Sequence, residues 1–305
     1  MPLGSRPHRD DLAVVGVGEN SVDFVYRIAA ALAADGKQPI TSSRVSAGGQ
    51  IATALCAAAA CGWHTRYVGA FGSDEHGRAL RELLRARGID VSAAPVRAVR
   101  NRHAVIIVEE SSGRRSILWE RDPALTLRPE ELPESDLAAA RLVHVDDVDV
   151  EISLRAALIA RAAGRMVTAD IDQITPRTRE LLDAVTHPIV AAHVPAALTG
   201  HPDLEQALRS LWRPHHAMLG VTLGSRGAML LAGGAIHYAP APPVRAVDTT
   251  GAGDVFRGAF IHGLLSGDTP DAILRFANAA AALSCTREGA IDSVPTLAEI
   301  SLLLR

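Results

Sequence analysis

Asp248-Thr-Thr-Gly-Ala-Gly-Asp254-Val-Phe-Arg-Gly-Ala-Phe260 is the stretch on which the reading of this chain turns. Gly251, Ala252 and Gly253 are small enough to leave the backbone open, and the residues that follow predict a helix over 254–265. Unpaired N–H groups and the positive end of a helix dipole then meet at one point, where an anion is stabilised. A carboxylate, Asp254, lies at the same point. An anion cradle beside a proton acceptor suits phosphoryl transfer to a hydroxyl: the cradle holds developing phosphate charge while the carboxylate takes the proton. The plainer reading is a glycine-rich turn feeding a helix, with Asp254 merely favourable in its first turn.

Outward from that stretch the chain is globular, with 305 residues, 48% hydrophobic, 21% charged and a net charge of -3. A nucleic-acid binder would show a basic footprint, and no apolar run has the length of a membrane span. Residues 1–11 are polar, lack the apolar centre of a secretory signal, and read as a disordered leader. Cys56, Cys61 and Cys285 show no metal-ligand spacing and read as reduced thiols, which points to the cytoplasm. Short apolar runs at 12–16, 142–145, 166–169, 188–191 and 218–223 read as buried strands. Between and after them, helices are expected over 50–61, 75–87, 152–163, 176–185, 254–265 and 270–285. Strands of this kind separated by helices imply a mostly parallel sheet covered on both faces.

Arg102 to Trp119 interrupts the alternation with two β-rich runs around Ser-Ser-Gly, a hairpin that needs a partner for its apolar face. Val221-Thr-Leu-Gly-Ser-Arg-Gly-Ala228 ends a strand in a glycine-containing turn with room for phosphate or ribose. Ala47-Gly-Gly-Gln-Ile-Ala-Thr-Ala54 puts paired glycines at a helix start, where a ligand can approach the backbone. Gly16-Val-Gly-Glu-Asn-Ser21 follows a strand and comes near a dinucleotide fingerprint, which keeps a dehydrogenase as a second enzyme class. No G-x-x-x-x-G-K-[ST] occurs, which removes P-loop enzymes.

Taken together these strings resemble the ribokinase-like, or PfkB, carbohydrate kinases over nearly the whole chain, from about Leu12 to Leu304. The C-terminal half is also similar to sulfofructose kinases. The resemblance implies a three-layer α/β/α fold with a mostly parallel sheet over residues 12–305, and a small β lid built from segments near 23–46 and 102–120. It implies ATP-dependent phosphorylation of a hydroxymethyl group on a sugar-like small molecule, with magnesium, and a homodimer formed through the lid. Asp254 would be the catalytic base, and Gly251, Ala252 and Gly253 the anion hole. Thr222, Gly224, Ser225, Gly227 and Asn278 would contact nucleotide. Asp23, Gly48, Gly49, Thr53 and Lys37 would contact the acceptor, Lys37 by neutralising an anionic group. Asp147, after a strand at the ligand-binding edge, joins that set ahead of its neighbour Asp146. Asp248, Thr250, Gly289 and Ser293 match positions that cage a monovalent cation such as potassium in ribokinase proper.

Two departures stand out. The family's Asn-x-x-Glu before Leu-Thr-Gly is missing from Ala191-Ala-His-Val-Pro-Ala-Ala-Leu-Thr-Gly200, so magnesium needs another organiser, such as water held by Asp170 or Asp172. Thr53 and Gln50 replace common family residues, which argues against ribose itself. An acidic run at 146–149 stands where a sulfonate would want an arginine. A nucleoside kinase and a low-turnover ligand sensor of the same fold remain the alternatives.

Overall fold

In this computed structural model residues 12–32, 34–112 and 114–305 are described; the leader expected over 1–11 lies outside them. The central sheet has eight strands in the order β14 (Ala235–Ala239), β13 (Ala228–Ala232), β12 (Met218–Thr222), β11 (His187–Ala191), β10 (Met166–Ile171), β9 (Leu142–Asp146), β1 (Val14–Val17) and β4 (Thr65–Val68). From β4 to β12 neighbouring strands are parallel; β13 and β14 close the edge as an antiparallel meander.

Alternation along the strands explains why both faces are covered. Val14 and Leu142 point into one apolar cluster, and the next residues, Val15 and Val143, point into the other. The first cluster is closed by α1 (Gln50–Ala60), α2 (Glu75–Ala86), α8 (Ala252–Ser266), α9 (Pro270–Ser284) and α10 (Leu297–Leu303). The second is closed by α3 (Glu134–Ala139), α4 (Val150–Ala162), α5 (Thr178–Ala184), α6 (Val194–Thr199) and α7 (Leu204–Leu211). Local chemistry sets the helix ends. Asp74 caps α2 by accepting from the Gly77 N–H, and Thr269 caps α9 ahead of Pro270. Gly267, at φ 74°, ends α8 in a left-handed cap.

A second sheet of four strands stands beside the first, in the order β3 (Ile40–Gly48), β2 (Ser21–Ile28), β7 (His103–Glu109) and β8 (Arg115–Glu120). β5 (Phe71–Gly72) and β6 (Val96–Arg97) form a two-stranded ladder of their own. The register of the four-stranded sheet divides its faces. The rows Ser46–Asp23–Ala104–Trp119 and Arg44–Val25–Ile106–Ile117 turn toward the carboxyl ends of the central strands. Val45–Phe24–Val105–Leu118, between them, turns away.

The dinucleotide-like string does not lead into a helix. Gly16 lies within β1, and at Ser21 the chain enters β2. Without a helix N-terminus behind the glycines there is no pyrophosphate seat, and the dehydrogenase reading falls.

Candidate active site

The carboxyl ends of β1, β10, β11 and β12 deliver their following residues into one cavity of about 370 Å³, roofed by the four-stranded sheet. Its floor is the start of α8. Gly251 has φ 74°, and a Cβ there would stand 2.6 Å from that of Ala290. A Cβ on Gly253 would stand 2.8 Å from Arg257 Nη1. Only glycine fits at 251, while a side chain at 253 would have to push the Arg257 guanidinium aside, and the first-turn amides of α8 are left without side-chain caps, at the edge of the cavity.

Asp254 lies in that first turn, half-buried and lining the cavity. Burial first, then the neighbouring Asp170 carboxylate, raise its pKa well above the ordinary carboxylate value, while Arg257 opposes the rise. Asp170 ends β10 beside it and is pushed up to about 7, also by burial before anything else. The two carboxyls are close enough to act on each other's titration, and like charges in one buried site resist ionising together. Arg257, one turn along α8 and 4% exposed, pairs with Asp170 at 2.6 Å. Its cationic neighbourhood and burial lower the pKa of His144 to about 3, which keeps that buried imidazole neutral.

On the roof and walls, Asp23 faces the cavity from β2, accepts from the Ser21 hydroxyl at 3.1 Å, and has its pKa raised by burial to about 6. Gly48 lies against it: a Cβ there would fall 2.7 Å from Asp23 Oδ2. Gly49 and Gln50 line the cavity at the start of α1. β8 contributes Arg115, Ile117 and Trp119, and Arg121 follows. Arg121 binds Glu19 at 2.8 Å with its guanidinium stacked 4.4 Å from the Trp119 ring, tying the roof to the loop after β1.

Of the nucleotide candidates, Thr222 lines the cavity at the end of β12. Gly224, Ser225 and Gly227 form the 3-10 turn and its exit between β12 and β13, outside the cavity proper. Asn278, expected to contact nucleotide, is buried on α9. Its Nδ2 donates to the Ala239 carbonyl at 2.8 Å, and Gly227 abuts the same carbonyl. Ala252 begins α8 between its two glycines.

Three acceptor candidates need correction. Asp147 is buried and turned away: its Oδ2 accepts from the Asp172 and Gln173 amides, both at 2.6 Å, and it does not line the cavity. Asp146 likewise holds the Glu19 amide at 2.6 Å, and Asp149 pairs with Arg102, so the acidic run at 146–149 braces loops and faces no substrate. Thr53 is fully buried one turn into α1, short of the cavity, and Gln50 is the α1 side chain that lines it. Lys37 is exposed beyond the Ile28–Ile40 pair that ends the β2–β3 ladder. At about 3.4 Å per residue that is roughly 17 Å along the strand from Asp23, too far to meet the acceptor.

The cation positions are also filled differently. Asp248 Oδ1 accepts from the Thr250 amide at 3.0 Å and its hydroxyl at 2.8 Å, while Oδ2 accepts from the Gly289 amide at 2.9 Å and from the Arg44 guanidinium. Ser293 donates to the Ala290 carbonyl within its own turn. Among the described residues no cluster of three or more His, Cys, Asp or Glu is arranged to hold a metal ion.

Arg257, Arg44, Arg115, Arg121 and Glu19 carry much of this geometry without having been assigned it from sequence; Asp170, expected only to hold water for magnesium, is paired with Arg257 beside Asp254. Arg257 had a legible signal: it lies three residues after Asp254 in a predicted helix, hence on the same face. The others meet only through the fold.

The sequence profile of the pfkB family carbohydrate kinases matches residues 11–297. Ribokinase from Arabidopsis thaliana is 32% identical over 266 residues, spanning 81% of this chain and 70% of that one. Fructokinase-1 from Oryza sativa subsp. japonica is 29% identical over 322 residues, spanning 95% and 97%. The structure of Arabidopsis ribokinase complexed with ribose and ATP superposes with a TM-score of 0.85 at 27% identity, covering 97% of this chain and 99% of that one.

Proposed function

The chain belongs to the pfkB family of carbohydrate kinases, and on that premise we propose that it passes the terminal phosphoryl group of ATP to a hydroxymethyl group of a sugar or sugar-like molecule. One observation carries the assignment: the Asp254 carboxylate and the uncapped Gly251–Gly253 turn share the floor of a cavity whose roof presents Asp23. Asp254 removes the acceptor proton, and the amides of Gly251, Ala252 and Gly253 receive the charge of the transferring group. ATP reaches the floor from the side of Thr222, with the turn over Gly224, Ser225 and Gly227 and the loop braced by Asn278 beneath its nucleoside. The likeness to an ATP- and ribose-bound relative supports this placement. Asp23, Gly48, Gly49 and Gln50 hold the acceptor, and the roof closes over it to exclude water.

Magnesium fits the donor set. The cavity lining holds five carboxylates (Glu19, Asp23, Asp170, Asp172, Asp254) against three guanidiniums (Arg115, Arg121, Arg257), a surplus of hard oxygen beside the anion hole. The Asn-x-x-Glu positions are Ala191 and Val194, the latter packed in the core, so Asp172 is the exposed carboxylate placed to hold a water of the ion. When bound with ATP, the ion would supply charge neutralisation at the phosphates.

The roof also supplies the surface for a homodimer. Val45 and Leu118 are 56% and 63% exposed in one row of its outer face. Three free thiols suit a reducing compartment, and we place the protein in the cytoplasm. A nucleoside acceptor is the second reading, favoured by one observation: Trp119 is the one Phe, Tyr or Trp side chain in the cavity lining.

Asp254→Asn tests the assignment. Turnover should fall by at least ~10²-fold while ATP and acceptor still bind, as loss of a general base requires; near-normal ADP release would refute it. A panel of sugars, sugar acids, polyols and nucleosides, assayed with magnesium and ATP, identifies the acceptor.

A further inference from the structure

Potassium does not fit the position that the resemblance assigns to it. A monovalent cation needs a shell of oxygen lone pairs, and here those of Asp248 are already given to four donors, one of them a guanidinium. Gly289 meets Asp248 with its N–H, a further claim on the lone pairs that a cation would need. Ser293 is fully buried with its hydroxyl on the Ala290 carbonyl.

Arg44 reaches Asp248 from the inner face of β3, 204 residues away in sequence. The pair is shielded: the Arg44 and Asp248 side chains are 20% and 11% exposed. Arg44 Nη1 lies 3.4 Å from Glu288 Oε2, and Arg27 of β2 lies 3.9 Å from the other oxygen of that carboxylate. A fixed positive charge therefore stands against the carboxylate that opens the anion-hole turn, in line with an Asp248 pKa held down to about 2 by the Arg44, Gly289 and Thr250 hydrogen bonds. A free cation could enter only by displacing that guanidinium.

We propose that Arg44 stands in for a monovalent cation at Asp248, a positioning residue that braces the Asp248–Gly253 turn with a charge carried by the roof sheet. The protein then needs no potassium, and the anion hole is tied to the position of β3. This rests on the kinase reading only where turnover is measured; ion binding is read separately.

The test uses the full chain freed of potassium in tetramethylammonium buffer, with potassium added at constant ionic strength. For the wild type, turnover and melting temperature should both be indifferent to potassium, and thallium-205 NMR should show no bound thallium, used as a potassium mimic. Arg44→Gln vacates the carboxylate. Its turnover should drop about tenfold, a coupling of ordinary allosteric size, and potassium should restore it while raising the melting temperature. Arg44→Lys, which keeps the charge, should stay potassium-independent. Potassium activation of the wild type with thallium bound would overturn the proposal, as would an Arg44→Gln protein indifferent to potassium in both readouts. The wild-type arm decides even if Arg44→Gln fails to fold. An inactive wild type that excludes thallium would count against the kinase reading and leave the ion proposal supported.

Discussion

Asp254, the proposed base, sits in an environment that works against its ionisation. Asp170 touches it, Glu19 raises its pKa further, Asp147 and Asp172 raise that of Asp170, and Arg257 alone among these neighbours opposes them; the adjacent His144 stays neutral. A general base acts only when ionised. With its pKa raised, activity is lost as pH falls through that raised value, so the acid limb of kcat/KM should lie well above the ordinary carboxylate value of about 4. Arg257→Met removes the opposing charge and should move that limb to higher pH, measured as kcat/KM against pH. The same change strands Asp170 in the interior, and breaking a buried pair in this way costs about 3–5 kcal/mol, readable by denaturant unfolding. An unmoved acid limb in a folded Arg257→Met protein would show that the guanidinium has no hold on the base.

At the scale of elements, the roof sheet meets the rest of the molecule through arginines. Arg44 binds Asp248, Arg115 Nη1 lies 3.5 Å from the Thr249 hydroxyl, and Arg121 binds Glu19 under the Trp119 ring. Two of these three contacts reach the turn proposed as the anion hole, at Asp248 and Thr249. The Arg121–Glu19 pair is the one beside Trp119, on the acceptor side. Arg121→Ala should therefore raise the acceptor KM by about tenfold with the ATP KM little changed, the signature of lost binding in place of lost chemistry. Steady-state kinetics with each substrate varied checks it; an equal loss in both KM values would assign the latch to the whole cavity.

At the scale of the molecule, the roof is a sheet with one face over the cavity and part of the other in solvent. Val45 and Leu118 lie in a single cross-strand row, with Phe24 and Val105 between them. Phe24 is partly covered by His76 of α2, which leaves the flanking Val45 and Leu118 for a second copy. Val45→Asp combined with Leu118→Asp puts charge where the partner would bury it. The expected result is a halved mass by light scattering with the melting temperature of the central domain kept. A wild-type protein already monomeric at working concentration would remove the dimer.

The amino-acid sequence by itself determined the features whose residues are neighbours along the chain. The eight-stranded sheet was legible at β1, β9, β10, β11 and β12 because each is a short apolar run, and α8 with its glycine cradle because Asp248–Phe260 is one unbroken string. Strands β4, β13 and β14 and the short helices α3, α6, α7 and α10 were not assigned; the helical patterns are too brief for a period to emerge. Only the tertiary structure decided which polar side chains face the cavity. Asp147 looked like a ligand-edge acid but turned to hold the Asp172 and Gln173 amides, because a buried carboxylate goes to the nearest unpaired donors. Arg44 drew no reading from the sequence, and only folding set it on Asp248. Pairing across 204 residues follows from how β3 lies against the start of α8, and no local spacing encodes that.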